Sequence, residues 1–168
     1  MRIALIQQTA TEDNEANILK GLKNIDKAAE QGAEIAVFAE LAFTRFYPQY
    51  LAKGDVAHLA EPVPGPTTKK FMTKAKDHNM VVVINLFEIE DGKTYDSSPV
   101  IDADGTLLGT TRMVHVADHE CFYEKSYYTE GNHGAPVYDT AVGKIGVAIC
   151  YDRHYPEVMR TLGVNGAE

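Results

Sequence analysis

The chain has 168 residues, of which 45% are hydrophobic and 24% charged, with 13 Gly and 7 Pro. These proportions fit one globular domain that buries about two-thirds of its unfolded surface, and they exclude collagen-like, low-complexity and disordered chains. Sixteen Lys and Arg against 24 Asp and Glu leave a net charge of -8, which argues against nucleic acid or an anionic membrane as a partner.

The expected elements follow an α/β order. A buried strand at Ile3–Ile6 opens the chain, and Asp13 or Asn14 can cap a helix whose apolar positions Ile18, Leu22, Ile25 and Ala29 recur at helical spacing. Gly32 sits where the C-terminal cap of that helix belongs, before a second buried strand at Ile35–Phe38. Strand–helix–strand in so short a span is the signature of layered α/β architecture. Beyond Pro62, Pro64, Gly65 and Pro66, a helix is expected from about Thr67 to His78 with Phe71, Met72 and Ala75 inward. Met80–Phe87 reads as one strand, and Ser98–Ile101 as another between turns at Asp91-Gly92 and Asp102–Gly105. Leu107–Val116 extends this meander, and His119–Pro136 reads as loop and short helix. Lys144–Ile149 reads as a strand, and Pro156 opens a helix with Val158, Met159 and Leu162. Gly166-Ala167-Glu168 follows that helix as Gly32-Ala33-Glu34 follows the first, so the chain is expected to be cut just before a further strand. No apolar run approaches the ~20 residues of a membrane span, and the N-terminus turns polar too soon for a signal peptide. The expected location is therefore cytoplasmic, with Cys121 and Cys150 as reduced thiols.

Cys150 closes the apolar run Ile145, Val147, Ile149 and precedes Tyr151-Asp152-Arg153-His154-Tyr155-Pro156-Glu157. A residue at a strand-to-helix turn projects from the sheet, where the following helix N-terminus is expected to lower a thiol's pKa and backbone N–H groups can hold an oxyanion. The plain alternative is a small buried hydrophobe. Glu40 likewise ends an apolar run, before Leu41-Ala42-Phe43, and suits the work of a general base, against the plain reading of a surface acid. His115, His119 and Cys121, with His133 or His154, are near enough in sequence to bind a metal. No paired ligand motif and no phosphate-binding loop accompanies them, so neither metal nor other cofactor is expected. The aromatic groups Phe43, Phe46, Tyr47, Tyr50 and Tyr123, Tyr127, Tyr128 suit a pocket wall or a core, with Tyr47 the foremost candidate for substrate contact.

Ile3-Ala4-Leu5-Ile6-Gln7, Gly32-Ala33-Glu34-Ile35, Phe38-Ala39-Glu40, Ile101–Gly105 and the block Gly143–Glu168 together give a family likeness. The most specific part is Gly146-Val147-Ala148-Ile149-Cys150-Tyr151-Asp152 followed by Pro156-Glu157. Over essentially its whole length the chain resembles the nitrilase superfamily of carbon–nitrogen hydrolases. The resemblance implies a four-layer α-β-β-α sandwich, assembled into dimers or larger oligomers, that hydrolyses small amides, nitriles or carbamoyl compounds without a cofactor. It makes Cys150 the nucleophile, Glu40 the general base, Glu124 a second glutamate that positions lysine and substrate, and the Tyr151 N–H an oxyanion donor. The segments around Cys150 and His154 are more similar to the carbamoyl-amidase and ureidopropionase branch, and Tyr47, Tyr151 and His154 are the candidate substrate-binding residues.

One position departs from the pattern. The family lysine belongs to an Arg-Lys-x-His stretch, which here reads Arg112-Met113-Val114-His115. Methionine has similar length but no charge and no donor proton. Three outcomes are open: Lys125, Arg112 or a protonated His115 substitutes, the site works in modified form, or it is inactive and the protein serves as a binding or structural subunit. A modified, active site is preferred, because Glu40, Glu124 and Cys150 all match.

Overall fold

The computed structural model describes residues 1–168. Strands β1 (Ile3–Ile6), β2 (Ile35–Phe38) and β3 (Val81–Val83) run parallel, with Leu5 opposite Val37 and Val37 opposite Val83. Helix α1 (Asn14–Glu30) links the first two; Asp13 caps it by accepting from the Ala16 N–H at 2.9 Å, and Gly32 leaves it at φ 74°. Helix α2 (Pro66–His78) begins on proline and ends at Asn79 in the left-handed region. Both helices cover the same face, where Ile25, Ala28, Phe71 and Ala75 bury against Ala36, Phe38, Val82, Ile84 and Ile101. The rings of Phe38, Phe43 and Phe71 meet there at centroid distances of 4.9 to 5.3 Å. Gly21 admits them, since a Cβ at that position would lie 2.8 Å from the Phe43 ring.

The sheet is completed by β4 (Leu86–Glu90), β5 (Lys93–Ile101) and β6 (Leu107–Arg112), giving the order β1-β2-β3-β5-β4 with β6 also on β5. The single strand expected over Met80–Phe87 is therefore two strands that part at Ile84-Asn85. The Asn85 side chain occupies the break, accepting from the Leu41 N–H at 2.8 Å and donating to Asp96 and Ser98. Strand β5 starts at Lys93 rather than Ser98, because Asp96, Ser97 and Ser98 are buried although polar. The meander stops at Arg112, short of Val116. That guanidinium is 1% exposed, pairs with Glu88 and Glu90, bonds Asn132 and lies 3.9 Å from the Tyr95 ring centroid.

A hairpin of β7 (Val137–Thr140) and β8 (Gly143–Gly146) forms the second sheet. Tyr138 packs on Val83 and Val100, while Val142 and Ile145 pack with Ile35, Val81 and Ala103, so the hairpin covers the sheet face opposite the helices. The strand expected at Lys144–Ile149 thus ends at Gly146, and β7 had no counterpart in the sequence reading. Helix α3 (Pro156–Val164) sets Leu162 against Gly146, whose outward direction is opposite to that of Ile145. The layers run α1 and α2, large sheet, hairpin, α3, which is the α-β-β-α order. The expected loop around His119–Pro136 holds one short 3₁₀ helix, Glu124–Ser126. No helix is long and apolar enough to cross a membrane.

Candidate active site

Three chain segments converge at one end of the large sheet. Glu40 follows β2 by two residues, in a tight turn where Leu41 takes φ 48° and is fixed by Asn85. Glu124 opens its short 3₁₀ helix and is fully buried; one carboxylate oxygen accepts from the Ala117 N–H at 3.1 Å. Cys150 starts a second 3₁₀ helix, Cys150–His154, with a left-handed backbone at φ 44°. A non-glycine residue in that region is strained and turns its side chain out of the strand direction, as in a nucleophile elbow. The Cys150 sulfur and one oxygen each from Glu40 and Glu124 all lie within 4.8 Å of one another. The structure therefore brings together the three residues expected to carry the chemistry.

Asp96 is a fourth member that pattern reading missed. It is 1% exposed, sits mid-strand in β5, and one of its oxygens accepts from Asn85 Nδ2 at 2.5 Å. Its other oxygen, Oε1 of Glu40 and Oε1 of Glu124 are all buried with no hydrogen-bond donor. Burial, and after it the facing Glu40, push the Asp96 carboxyl well up. Burial likewise pushes Glu124 up to about 7, with Glu40 adding to the rise and the Ala117 N–H and His119 opposing it.

The thiol is a correction to the sequence expectation. Burial first, then Glu40, Glu124 and Asp96, raise the Cys150 thiol rather than lower it. The short 3₁₀ helix supplies too little dipole to offset three acidic neighbours. The candidate substitute cations are all engaged or remote: Arg112 is held by Glu88 and Glu90, His115 by Asp152, and Lys125 is exposed. Met113 is 1% exposed and packs with Phe87, Tyr127, Tyr128 and Ile149, with Tyr47 and Cys150 at the edge of the same cluster.

Asp152 ties this region together. It is 2% exposed and accepts from the Val114 N–H, the His115 N–H and His115 Nδ1 at 2.7 to 3.1 Å. The His115 ring stacks on Tyr155 at 3.5 Å. The turn carrying Cys150 is thereby pinned to the segment carrying Met113. The sequence signal was present, an acid two residues after the cysteine and a histidine two after the methionine, but nothing in one dimension pairs them.

The remaining expected residues separate. Tyr47 borders the site: its hydroxyl shares a 2.7 Å hydrogen bond with Tyr128, and its ring lies 5.5 Å from Phe87 and 4.9 Å from Tyr127. Tyr151 adjoins Cys150 and packs against Tyr155 and His119, and its N–H lies in the first turn of the 3₁₀ helix, beyond reach of that helix's own carbonyls. His154 is exposed, 5.7 Å from the Tyr151 ring, and does not join the cluster. The histidines and Cys121 considered as a metal set do not gather; the one group close enough to hold an ion is Glu40, Glu124 and Cys150 itself. A cavity of about 120 Å³ lies beside Glu40, Asn85, Ser98 and Cys150, walled by Val37, Phe38 and other apolar side chains.

A family model described as carbon-nitrogen hydrolase matches residues 2–168. The chain is 36% identical over 167 residues to the N-carbamoylputrescine amidase of Solanum lycopersicum, covering 99% of this chain and 55% of that protein. It is 32% identical over 174 residues to the citrullinase of Francisella tularensis, covering 100% of this chain and 59% of that one. Against the crystal structure of a carbon-nitrogen hydrolase from Helicobacter pylori G27 the TM-score is 0.91 at 27% identity, over 98% of this chain and 57% of that chain. The chain spans a little over half the length of these relatives. The match runs from the first strand to the last helix and takes in the turn that sets Cys150 between two glutamates, and on that ground the chain belongs to the carbon–nitrogen hydrolase family.

Proposed function

We propose that this chain carries the reaction centre of a hydrolase that cleaves a C–N bond in a small linear amide or N-carbamoyl compound through a thioester on Cys150. The observation that carries the reading is the convergence of the Cys150 sulfur with Glu40 and Glu124 within 4.8 Å. Glu40 takes the thiol proton as sulfur attacks the carbonyl carbon, then returns it to the departing ammonia or amine. Water, deprotonated by Glu40, attacks the thioester, and the proton goes back to sulfur as the acid is released. The Tyr151 N–H serves the oxyanion, Glu124 holds the substrate's amino group, and the ring of Tyr47 limits the pocket. The names of the relatives, an N-carbamoylputrescine amidase and a citrullinase, favour N-carbamoyl substrates.

The test is ammonia release from acetamide and from N-carbamoylputrescine by the purified protein. Release is expected from at least one, lost in Cys150→Ala and reduced at least about 100-fold in Glu40→Gln. Release that survives Cys150→Ala overturns the mechanism. No release from any amide, carbamoyl compound or other C–N substrate favours the second reading, a binding subunit, to which the uncharged Met113, buried in the cluster that Cys150 packs against, lends weight.

A further inference from the structure

The reaction centre is built for a positive charge that the chain does not supply. Glu40 and Glu124 lie within 4.8 Å of the Cys150 sulfur, Asp96 faces Glu40, and each of the three carboxyl groups keeps one buried oxygen without a donor. Asp96 and Glu124 are 1% and 0% exposed, so water does not serve those oxygens freely. No lysine or arginine pairs with any of the three carboxylates. Met113, a side chain of lysine-like length in the cluster that Cys150 packs against, is apolar and buried.

An unpaired acidic set of this kind is costly unless a cation or protons compensate it. An amide or urea carbonyl offers an oxygen, which becomes an anion on attack and wants donors. This site presents acceptors. Two carboxylate oxygens that each sit about 2.8 Å from one nitrogen, at 120° to each other, are about 4.8 Å apart. That is the spacing within which the Glu40 and Glu124 oxygens lie, with the sulfur in the same range. Both glutamates and the thiol are thus within reach of one planar NH₂ group and the carbon that bears it. A cavity of about 120 Å³ that reaches Glu40 and Cys150, though not Glu124, is a little smaller than the ~150 Å³ cavity that takes benzene, so a four-heavy-atom planar cation has room beside the thiol.

Resting on the thiol-hydrolase reading above, we infer that the preferred reacting group is an amidinium or guanidinium carbon, in which the substrate itself brings the missing charge between Glu40, Glu124 and Cys150. Glu40 takes the thiol proton as the sulfur–carbon bond forms, giving a neutral tetrahedral adduct with two amino groups. The proton passes to one of them, the C–N bond breaks, ammonia leaves, and a cationic thioimidate remains on Cys150. Water, deprotonated by Glu40, adds to that carbon. The carbon–sulfur bond then breaks as the thiol regains its proton, releasing the amide, or a urea from a guanidine, with the last proton on ammonia. The sum is amidinium plus water giving amide plus ammonium. No oxyanion arises in the first half of the cycle, so a lysine is not required there.

The test compares acetamidine with its isostere acetamide on the purified protein at pH 8, reading ammonia, with Met113→Lys alongside. The expected kcat/KM for acetamidine exceeds that for acetamide by about 100-fold or more, the size of effect one matched charge or oxyanion donor has on rate. In Met113→Lys, where the protein brings its own cation, the order is expected to reverse. If that variant does not fold, the wild-type comparison decides alone. Turnover of acetamide or N-carbamoylputrescine with acetamidine inert overturns this inference and leaves the thiol-hydrolase reading standing. Acetamidine turnover that EDTA abolishes assigns the carboxylates to a metal ion and also overturns it. Ammonia from none of these substrates, with Cys150 unmodified throughout, removes both.

Discussion

Glu124 is the residue through which pH acts most directly on this molecule. Its folded-state pKa, about 7, lies above the ordinary carboxyl value of 4.5, so the native state holds the proton more tightly than the unfolded chain. Stability from this group is full below about pH 4.5 and is lost as pH rises through about 7, by roughly 3 kcal/mol at completion. Asp96, raised by burial and by Glu40, contributes with the same sign. Glu124→Gln keeps an acceptor for the Ala117 N–H and removes the titration. Its urea midpoint should therefore fall less between pH 5 and pH 8 than that of the wild type, and equal falls would contradict the assignment. At this scale Glu40 and Cys150 were legible in the sequence because each closes an apolar run, whereas Glu124 was reached only through the family resemblance. Asp96 was not legible, because a carboxylate in a run of Tyr, Asp, Ser and Ser looks solvated until the fold buries it.

Among the elements, the turn at Cys150–His154 depends on a partner 37 residues earlier in the chain, through the Asp152–His115 contacts. Asp152→Ala leaves the Val114 and His115 amide groups without their acceptor, at about 1–3 kcal/mol each. A stability loss of about 3 kcal/mol is expected from denaturant unfolding, and a loss under about 1 kcal/mol would show that the clamp is not needed. By contrast, Asp13→Ala removes a single cap bond at the start of α1 and should cost about 1 kcal/mol in the same measurement. The elements with strong periodicity, α1, β2 and α2, were readable within a residue or so. Two features escaped for opposite reasons. Met80–Phe87 is apolar at every position but Asn85, and a single polar residue in such a run does not by itself mark a break, while β5 and β7 are partly polar strands buried only through tertiary pairing.

On the scale of the whole molecule, the alternation of strand and helix pointed to a layered α/β fold and the family resemblance to its α-β-β-α order, whereas the surface followed from neither. Strand β1 lies at the sheet edge with Ile3 49% and Leu5 76% exposed, beside an apolar groove of about 410 Å³ that includes Met159 and Leu162. An open edge carrying apolar side chains is a template for strand pairing. The 168-residue polypeptide should self-associate through β1 despite its net charge of -8, and Leu5→Lys should shift it toward monomer in sedimentation velocity. A monomeric wild-type polypeptide at tens of micromolar would refute that. Which side chains lie bare at this edge is a property of sheet order, which no local pattern encodes.

The measurement that reaches furthest is partitioning by hydroxylamine during hydrolysis of two acetyl amides with different leaving groups, acetamide and N-methylacetamide. A common acetyl thioester on Cys150 predicts that acetohydroxamate and acetate form in one fixed ratio from both, and that both products vanish in Cys150→Ala. A ratio that changes with the leaving group, or product formation that persists without the Cys150 sulfur, would contradict the covalent account.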